Sequence, residues 1–413
     1  MSELLKKQNY GVEVEFTGIS RKMAADAVAE IIGTAASRPD RTCYQTRTIQ
    51  DSQGRKWKVM RDSSIHPIRK VGTENMDEYR VEFVTPVLKY EDLDTLQAII
   101  RKFREIGGVP HSSCGIHIHV DGANHTATSL RRLVNFMYSR QEIIYDALAV
   151  GDRKYRWCQP VCKNLLDTMK KDKNITTDSV EKIWYSPAND GYCGGINHQH
   201  YNSTRYHALN LHSFFQKGTV EFRLFNSTLH AGKIKAYVQF CLALSAWSIE
   251  SDDKVVFRTM NGYTAKKKVT LMYNILTNRL GLYGDEFKTC RLHMMKQLRE
   301  NAKKEWKQGY TIYDWNGKAV YPEQKKDTSS SKAKVSLTEK LNIQLPVLQS
   351  GTEGSAVRCL QAILGVAVDG DFGKNTKTAL KTFQKNVGID DDGCCGQNTW
   401  KKIADHMNAN TFK

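Results

Sequence analysis

The sequence predicts an α+β domain, a sheet with helices on one face, followed by a short second domain. Four segments alternate apolar and polar residues at period two, which places alternate side chains on opposite faces of a strand. Segments between them carry apolar residues three or four positions apart, as amphipathic helices do. Residues 325–334 are rich in Lys and Ser and lack apolar periodicity, which is typical of a solvated linker.

The four predicted strands cover residues 10–16, 80–86, 115–121 and 219–225, and they share one design. Each puts Val, Ile, Leu or Phe on one face and ionisable residues on the other. The ionisable residues are, in chain order, Glu13, Glu15, Arg80, Glu82, His117, His119, Asp121, Glu221 and Arg223. The predicted sheet therefore has one apolar face and one face that carries carboxylates, imidazoles and guanidinium groups.

Four helices are predicted at residues 20–32, 92–106, 129–148 and 233–249, and a basic amphipathic helix near 285–307. Their apolar stripes can cover the apolar face of the sheet, which leaves the polar face open. On a single strand, an open polar face is more often a solvated surface than a site. The same choice of Glu, His and Arg on four strands favours a site.

Glu13 and Glu15 show why the polar face suggests bound cations. Carboxylates at positions i and i+2 of one strand lie about 7 Å apart and repel unless a cation lies near them. Carboxylate and imidazole groups are also ligands that divalent cations accept. A basic chain can add arginines that hold an anionic substrate beside the metal.

Composition limits the class of protein. The 413 residues include 61 Lys and Arg and 44 Asp and Glu, a formal net charge of +17. Residues 347–413 carry eight basic and seven acidic residues, so nearly all of the excess charge belongs to the N-terminal part. No apolar run approaches the roughly 20 residues that span a bilayer, and no leader is evident. We therefore expect a cytoplasmic protein without a membrane partner.

Six short motifs occur in an order that resembles the amidoligase family. That family belongs to the carboxylate–amine ligase superfamily and shares the catalytic fold of glutamine synthetase. The resemblance covers about residues 8–255. The motifs are Gly11-x-Glu13-x-Glu15, Asp62-Ser63-Ser64, Glu82-x-x-Thr85-Pro86, Gly115-x-His117-x-His119, Arg205-Tyr206 and Glu221-x-Arg223.

The resemblance implies an antiparallel sheet whose concave face binds ATP through two or three Mg²⁺ or Mn²⁺ ions. Glu13 and Glu15 would each help to hold a metal. Glu82 would join one metal site, and His117 and Glu221 would join the other. His119 carries less weight than His117, because it could equally be a core residue or a neighbour of the ligands.

The same resemblance implies roles for two arginines and an aspartate. Arg223 and Arg205 would neutralise the γ-phosphoryl group in transfer or bind the substrate carboxylate, and Asp62 would orient substrate or cap a turn. Positioning and charge neutralisation are the main requirements of phosphoryl transfer. Phosphorylation of a carboxylate gives an acyl phosphate, and attack by an amine then gives an amide, ADP and phosphate.

The C-terminal part contains a repeated D-G-x-x-G-x-x-T pattern, at residues 369–376 and 392–399. We expect each Asp-Gly to form a tight turn and each Thr or Asn to cap the following helix, at 377–386 and 400–407. With residues 350–361 and 382–384, this pattern resembles the peptidoglycan-binding domain, an all-α unit of three helices. The predicted organisation is a catalytic domain at 1–310, a linker at 311–345 and a peptidoglycan-binding domain at 346–413.

Together these observations predict an ATP- and Mg²⁺-dependent ligase from a bacterium or a bacteriophage. It would form an amide or isopeptide bond on a cell-wall peptide or its precursor, with peptidoglycan or a muropeptide as one partner and a small amine, amino acid or peptide as the other. We expect it to reach the cell wall by lysis or unconventional export.

Three alternatives stay open at this point. One is a metal-dependent peptidoglycan hydrolase that uses His117, His119 and Asp121 as zinc ligands. Another is a non-catalytic component of a wall or virion. Nucleic-acid binding is the third, and we do not expect it, because the basic residues are dispersed and no recognised nucleic-acid motif is present.

Overall fold

A computed structural model describes residues 3–251, 262–307, 312–313, 319–320 and 346–410. The chain divides into two units, Met1–Glu323 and Gln324–Lys413. Within the predicted linker at 311–345, only the short strands Ile312–Tyr313 and Ala319–Val320 are described, so its bounds stay a prediction. No helix in the described ranges is long and apolar enough to cross a bilayer.

The larger unit is built on a seven-stranded sheet in which every neighbouring pair is antiparallel. Its strands are β1 (Tyr10–Phe16), β2 (Arg47–Gln50), β3 (Lys56–Met60), β4 (Val81–Val84), β5 (Gly115–Asp121), β6 (Leu209–Asn210) and β7 (Thr219–Asn226). Their order across the sheet is β2-β3-β4-β1-β5-β7-β6. All four predicted strands are confirmed, and β2, β3 and β6 extend the sheet at its two edges.

Ten helices are described in this unit. They are α1 (Glu3–Lys7), α2 (Arg21–Ile32), α3 (Leu93–Glu105), α4 (Ala127–Leu148), α5 (Lys163–Lys171), α6 (Thr177–Trp184), α7 (His212–Lys217), α8 (Ala231–Glu250), α9 (Ala265–Asn274) and α10 (Lys288–Lys307). The five predicted helices correspond to α2, α3, α4, α8 and α10. The α+β class predicted from the sequence is therefore confirmed.

Local sequence explains where α2 begins and ends. The Ser20 side chain accepts a hydrogen bond from the backbone N–H of Met23, which satisfies one of the donors left free at a helix start. Gly33 follows the last turn with φ of 78°, a left-handed conformation that glycine adopts without steric cost.

The core lies between the helices and the apolar face of the sheet. Val12, Val14 and Phe16 of β1 are fully buried there. Phe103 of α3 stacks on Phe16, with 4.8 Å between the ring centroids. Because helices cover this face, the Glu, His and Arg residues of the strands point to the other side.

The smaller unit contains α11 (Ser355–Leu364), α12 (Lys374–Asn386) and α13 (Gln397–Asn410). Its repeat is organised by two buried glutamines, Gln361 and Gln384. The first glutamine accepts from the N–H of Gly370 at 2.9 Å, and the second accepts from the N–H of Gly393 at the same distance. The amide nitrogen of Gln361 donates to Asp369, Asp371 and Thr376, and that of Gln384 donates to Asp392, Cys394 and Thr399.

The threonines of this repeat do not have the role that the sequence suggested. Helix α12 begins at Lys374, three residues earlier than predicted, and its N-cap is Gly373 without a side-chain cap. The expected capping by Thr376 is therefore wrong for α12. The hydroxyl instead accepts a hydrogen bond from the glutamine of the preceding helix, which ties each turn to the helix before it.

Candidate active site

Strand β1 lies in the middle of the polar face, between β4 and β5. Every second residue of β1 points to the polar face, so Glu13 and Glu15 both lie on it but are adjacent to different residues of β4 and β5. The pairs that lie opposite each other on adjacent strands are Glu15 with Glu82, Glu13 with His117, and His119 with Glu221. The register therefore collects residues from four strands on one surface.

Glu13, His119 and Glu221 form the first triplet of candidate ligands, with one ligand atom from each lying within 4.8 Å of the others. Nε2 of His119 is 3.2 Å from Oε1 of Glu13 and 3.9 Å from Oε1 of Glu221. The other ring nitrogen, Nδ1, is 2.9 Å from the hydroxyl of Thr219. Nε2 is buried and has no hydrogen-bond partner within the described part of the chain. An imidazole nitrogen left open beside two carboxylates is what a metal site requires.

Glu15, Asp62 and Glu82 form the second triplet, with the same spacing limit of 4.8 Å. Asp62 comes from the loop after β3, and it also accepts a hydrogen bond from the N–H of Ser64 at 2.7 Å, as a turn cap does. The N–H of Gly115 donates to Oε2 of Glu15 at 2.7 Å. The family resemblance implied that Asp62 orients substrate or caps a turn, and its position beside Glu15 and Glu82 also suits a cation ligand.

His117 lies between the two triplets and belongs to neither. Its Nδ1 is 2.9 Å from Oε2 of Glu13, and its Nε2 is 3.9 Å from Oε1 of Glu15. Nδ1 of His117 also lies 3.9 Å from Oε1 of Glu221, the same distance as Nε2 of His119, so the predicted ligand His117 stays a candidate beside the first triplet. Burial, followed by the charge of Arg223, lowers the pKa of His117 to about 4, so the ring is neutral at physiological pH.

The two triplets differ in their electrostatics. Burial, followed by repulsion from Asp62, raises the pKa of Glu15 to about 7. Burial and the charges of Glu13 and Glu15 raise the pKa of Glu82 well above its usual value. Burial also opposes ionisation of Glu221, but Arg223, His119 and His117 together outweigh it and hold the pKa of Glu221 at about 2. Without a cation, the second triplet cannot hold all three negative charges at neutral pH.

This behaviour fits the chemistry of a hard divalent cation. The three carboxylates can place oxygens within 4.8 Å of one another, and the pKa values of Glu15 and Glu82 are raised, so a bound metal ion would favour their ionised forms. The first triplet offers two carboxylates and one imidazole, which Mg²⁺ and Mn²⁺ also accept. The residues present therefore fit metal ions in both positions.

The two predicted arginines lie on the same side of the sheet. Nη1 of Arg223 donates to Oε1 of Glu221 at 2.5 Å. Nη1 of Arg205 donates to the carbonyl of His200 at 2.8 Å, and its guanidinium lies 5.8 Å from the ring of Tyr206. Arg223 therefore pairs with a carboxylate, whereas Arg205 does not.

A β-bulge in β7 adjusts this part of the site. Where β5 advances from Ile116 to Ile118, the partner residues on β7 run from Phe225 to Phe222, so β7 carries one extra residue. The shift lets Phe225 stack on Tyr237 of α8, on the apolar side, with 4.3 Å between the ring centroids. Arg223 keeps its place on the polar face.

A cavity of about 680 Å³ opens over these residues, a size that holds a nucleotide or a comparable ligand. Its lining includes seven of the eight predicted site residues: Glu13, Glu15, Asp62, Glu82, His117, Arg205 and Arg223. Glu221 and His119 do not line it, so the first triplet reaches the cavity through Glu13. The second triplet opens to it directly.

Four cations in the cavity lining were missed from the sequence: Lys58, Arg61, Arg153 and Lys217. Lys58 could have been found, because Trp57 and Val59 on either side of it are buried and alternate with it along β3. Arg153 belongs to a short 3₁₀ turn, Gly151–Tyr155, where no periodicity marks one side chain from the next.

The predicted zinc set of His117, His119 and Asp121 gains no support. Asp121 accepts a hydrogen bond from the N–H of Ala123 at 3.0 Å, and it joins neither triplet within the ranges that the structure describes. All ten cysteines are free thiols.

Comparisons with known proteins agree with this architecture. The profile of the family described as "Putative amidoligase enzyme" matches residues 6–245, and that of a "Putative peptidoglycan binding domain" matches residues 356–403. A curated relative from Kitasatospora aureofaciens, described as "Uncharacterized protein in bpoA1 3'region", is 38% identical over 65 residues, or 14% of this chain. The chain spans only 55% of that relative's length. With more than half of its residues matched to one family, the chain belongs to the amidoligases and carries a C-terminal peptidoglycan-binding domain.

Proposed function

We propose that the protein is an ATP- and Mg²⁺-dependent carboxylate–amine ligase with a catalytic sheet like that of glutamine synthetase. Its family and its C-terminal domain support a ligase-like enzyme that acts on cell-wall material. The observation that carries the finer proposal is the pair of acidic triplets, each of which takes one glutamate from strand β1. They lie at a cavity that lysines and arginines also line. A site for a metal-bound polyphosphate needs both features.

Each triplet would hold a divalent cation. Glu13, His119 and Glu221 would bind one ion, and Glu15, Asp62 and Glu82 would bind the other. Bound there, Mg²⁺ or Mn²⁺ would neutralise phosphate oxygens and polarise the phosphorus–oxygen bond that breaks.

The remaining residues of the cavity would bind and orient the substrates. Arg205 and Lys217 present positive charge to anionic groups in the cavity. Arg223 neutralises Glu221 through its 2.5 Å hydrogen bond and keeps that carboxylate ionised. Neutral His117 fixes the orientation of Glu13 through their 2.9 Å contact.

The proposed reaction balances in two steps. A carboxylate oxygen of the substrate attacks the γ-phosphorus of ATP, and ADP leaves. The amine nitrogen then attacks the acyl carbon, the bond to phosphate breaks, and the amine loses one proton. The products are the amide or isopeptide, ADP, phosphate and that proton.

The peptidoglycan-binding domain suggests the substrate class. A domain that holds wall material near the active site raises the local concentration of cell-wall peptides. We therefore propose a cell-wall peptide or its precursor as one substrate, and a small amine, amino acid or peptide as the other.

The test is an incubation with ATP, Mg²⁺, muropeptides and a panel of amines, followed by measurement of ADP and of product mass. We expect ADP and ligated product to appear together and to require both the metal and an amine. Glu15→Gln should abolish both, whereas Glu91→Gln, which changes an exposed carboxylate away from the cavity, should not. Metal-dependent release of muropeptide fragments without ATP would refute the proposal and favour a hydrolase.

A further inference from the structure

The guanidinium of Arg153 lies near the second triplet, and the sequence did not predict this. It lies in the 3₁₀ turn Gly151–Tyr155 after α4, and its partly buried side chain lines the cavity. Nη1 donates to the carbonyl of Phe225, at the bulged end of β7. The guanidinium is therefore fixed in place by backbone and not by a carboxylate.

The charge of Arg153 is available to a ligand. Within the described residues it forms no salt bridge, and no group accepts a hydrogen bond from its Nε or Nη2. Two other arginines of the cavity are already neutralised, Arg223 by Glu221 at 2.5 Å and Arg61 by Asp77 at 2.9 Å. A guanidinium that faces a cavity without a carboxylate partner is suited to bind an anion.

Gly115 provides the room for this guanidinium. A Cβ atom added to Gly115 would overlap Nη2 of Arg153 and lie 3.0 Å from its Cζ. The backbone of Gly115 does not have a positive φ, so the glycine is required by space rather than by conformation. Its N–H donates to Oε2 of Glu15 at 2.7 Å. One residue therefore separates the guanidinium from a ligand of the second triplet.

We propose that Arg153 binds the substrate oxyanion that approaches the Glu15, Asp62 and Glu82 triplet. The proposal rests on the ligase function above. The oxyanion is either the γ-phosphoryl group of the nucleotide or the carboxylate that accepts it, since both present two oxygens to a planar guanidinium. Arg153, and not Arg223, is then the arginine that contacts the reacting groups.

The test uses the full chain, four variants and one matched control. Arg153→Ala and Arg153→Lys change the guanidinium directly. Gly115→Ala displaces it without removing its charge, and the double variant Gly115→Ala/Arg153→Ala combines the two changes. Lys154→Ala is the control, because Lys154 belongs to the same turn, carries a positive charge and has its Nζ 5.0 Å from the ring of Tyr155, and neither of these two residues lines the cavity.

Two measurements separate the possible sources of the oxyanion. Calorimetric titration with AMP-PNP and Mg²⁺ reports on the phosphoryl group, and the KM for a muropeptide mixture reports on the carboxylate. We expect Arg153→Ala to raise either the Kd for AMP-PNP or the KM for the muropeptides by roughly tenfold to a hundredfold, as loss of a charged hydrogen bond does. Arg153→Lys should recover part of this loss, and Lys154→Ala should change neither value.

The Gly115 variant makes the result specific to the guanidinium. Gly115→Ala alone should raise the same constant, the Kd for AMP-PNP or the KM for the muropeptides. In the double variant it should add little to the effect of Arg153→Ala. Thermal melting confirms that each variant is folded, and Arg153→Lys and Gly115→Ala keep the test decisive if Arg153→Ala does not fold.

Different results overturn the two proposals separately. If wild type binds AMP-PNP but Arg153→Ala binds it and uses muropeptide as wild type does, the role of Arg153 is refuted. Strictly additive losses in the double variant refute it as well. If wild type neither binds AMP-PNP with Mg²⁺ nor converts ATP to ADP, the ligase function itself fails, and the role of Arg153 fails with it.

Discussion

Glu15→Gln should make the metal-free protein more stable relative to wild type as pH rises. The unfolded chain ionises Glu15 with the usual pKa of 4.5, whereas burial and Asp62 raise the pKa in the folded chain to about 7. Below pH 4.5 both states hold the proton, so the contribution of Glu15 to stability is fully present. It is lost as pH rises through the folded pKa, because a buried charge must then form.

The size of the effect follows from the two pKa values. The gap between 4.5 and about 7 corresponds to roughly 3 kcal/mol of unfolding free energy, at about 1.4 kcal/mol for each pKa unit. Four histidines change stability in the opposite sense, because their folded pKa is lowered to about 4 and stability is lost as pH falls. They are His117, His125, His212 and His293. The effect of Glu15 must therefore be measured as a difference between two proteins.

The assay is urea unfolding of wild type and Glu15→Gln in EDTA, from about pH 5 to about pH 8, followed by tryptophan fluorescence. Unfolding of the C-terminal unit and titration of the histidines are common to both proteins and cancel in the difference. Glutamine can still accept the hydrogen bond from the N–H of Gly115, so the substitution isolates the charge. We expect the variant to gain about 2.5 kcal/mol relative to wild type across this range, because part of the full difference is already present at pH 5.

Excess Mg²⁺ provides the second arm of this experiment. A cation at the triplet favours ionised Glu15, so wild type should regain stability at high pH and Glu15→Gln should respond much less. A difference between the two proteins that stays constant with pH would refute the assignment of a raised pKa to Glu15. Equal stabilisation of both proteins by Mg²⁺ would remove Glu15 from the metal site.

Three further substitutions test other parts of the molecule. Glu82→Gln should stabilise the metal-free protein at pH 7, because the unfolded chain ionises Glu82 with the usual pKa of 4.5 whereas its pKa in the folded chain is raised well above that value, and calorimetry should show weaker Mg²⁺ binding. Arg21→Met should lower the unfolding free energy by roughly 3 kcal/mol in urea, since Arg21 is 1% exposed and pairs with Glu78 at 2.9 Å. Gln384→Ala should lower the melting temperature of the C-terminal unit and cost roughly 2 kcal/mol, because the N–H of Gly393 loses its acceptor.

The sequence predicted those strands in which apolar and polar residues alternate over enough positions to be recognised. β1, β5 and β7 have seven or eight residues, and each shows a clear apolar and polar face. β2 has four residues and β6 has two, so neither contains a pattern that differs from chance. Edge strands of that length are defined by pairing with a neighbour, which a single sequence does not reveal.

Alternation also identified the residues of the site but not how they group. His117 and His119 share one face of β5, and both satisfy the same pattern. Only the register shows that His119 lies opposite Glu221 on β7 while His117 lies opposite Glu13 on β1. Asp62 and Arg153 come from outside the strands, where no periodicity applies.

The central position of β1 makes the two triplets electrostatically dependent on each other. Glu13 and Glu15 are two residues apart, yet they belong to different triplets, and the charge of Glu13 is one reason that the pKa of Glu82 is raised. A cation bound beside Glu13 would offset that charge and ease ionisation of Glu82, which favours a second cation. By thermodynamic linkage, occupation of the second triplet would favour the first by the same factor. Neutral His117, 2.9 Å from Glu13 and 3.9 Å from Glu15, separates the two positions without adding a positive charge that would weaken either.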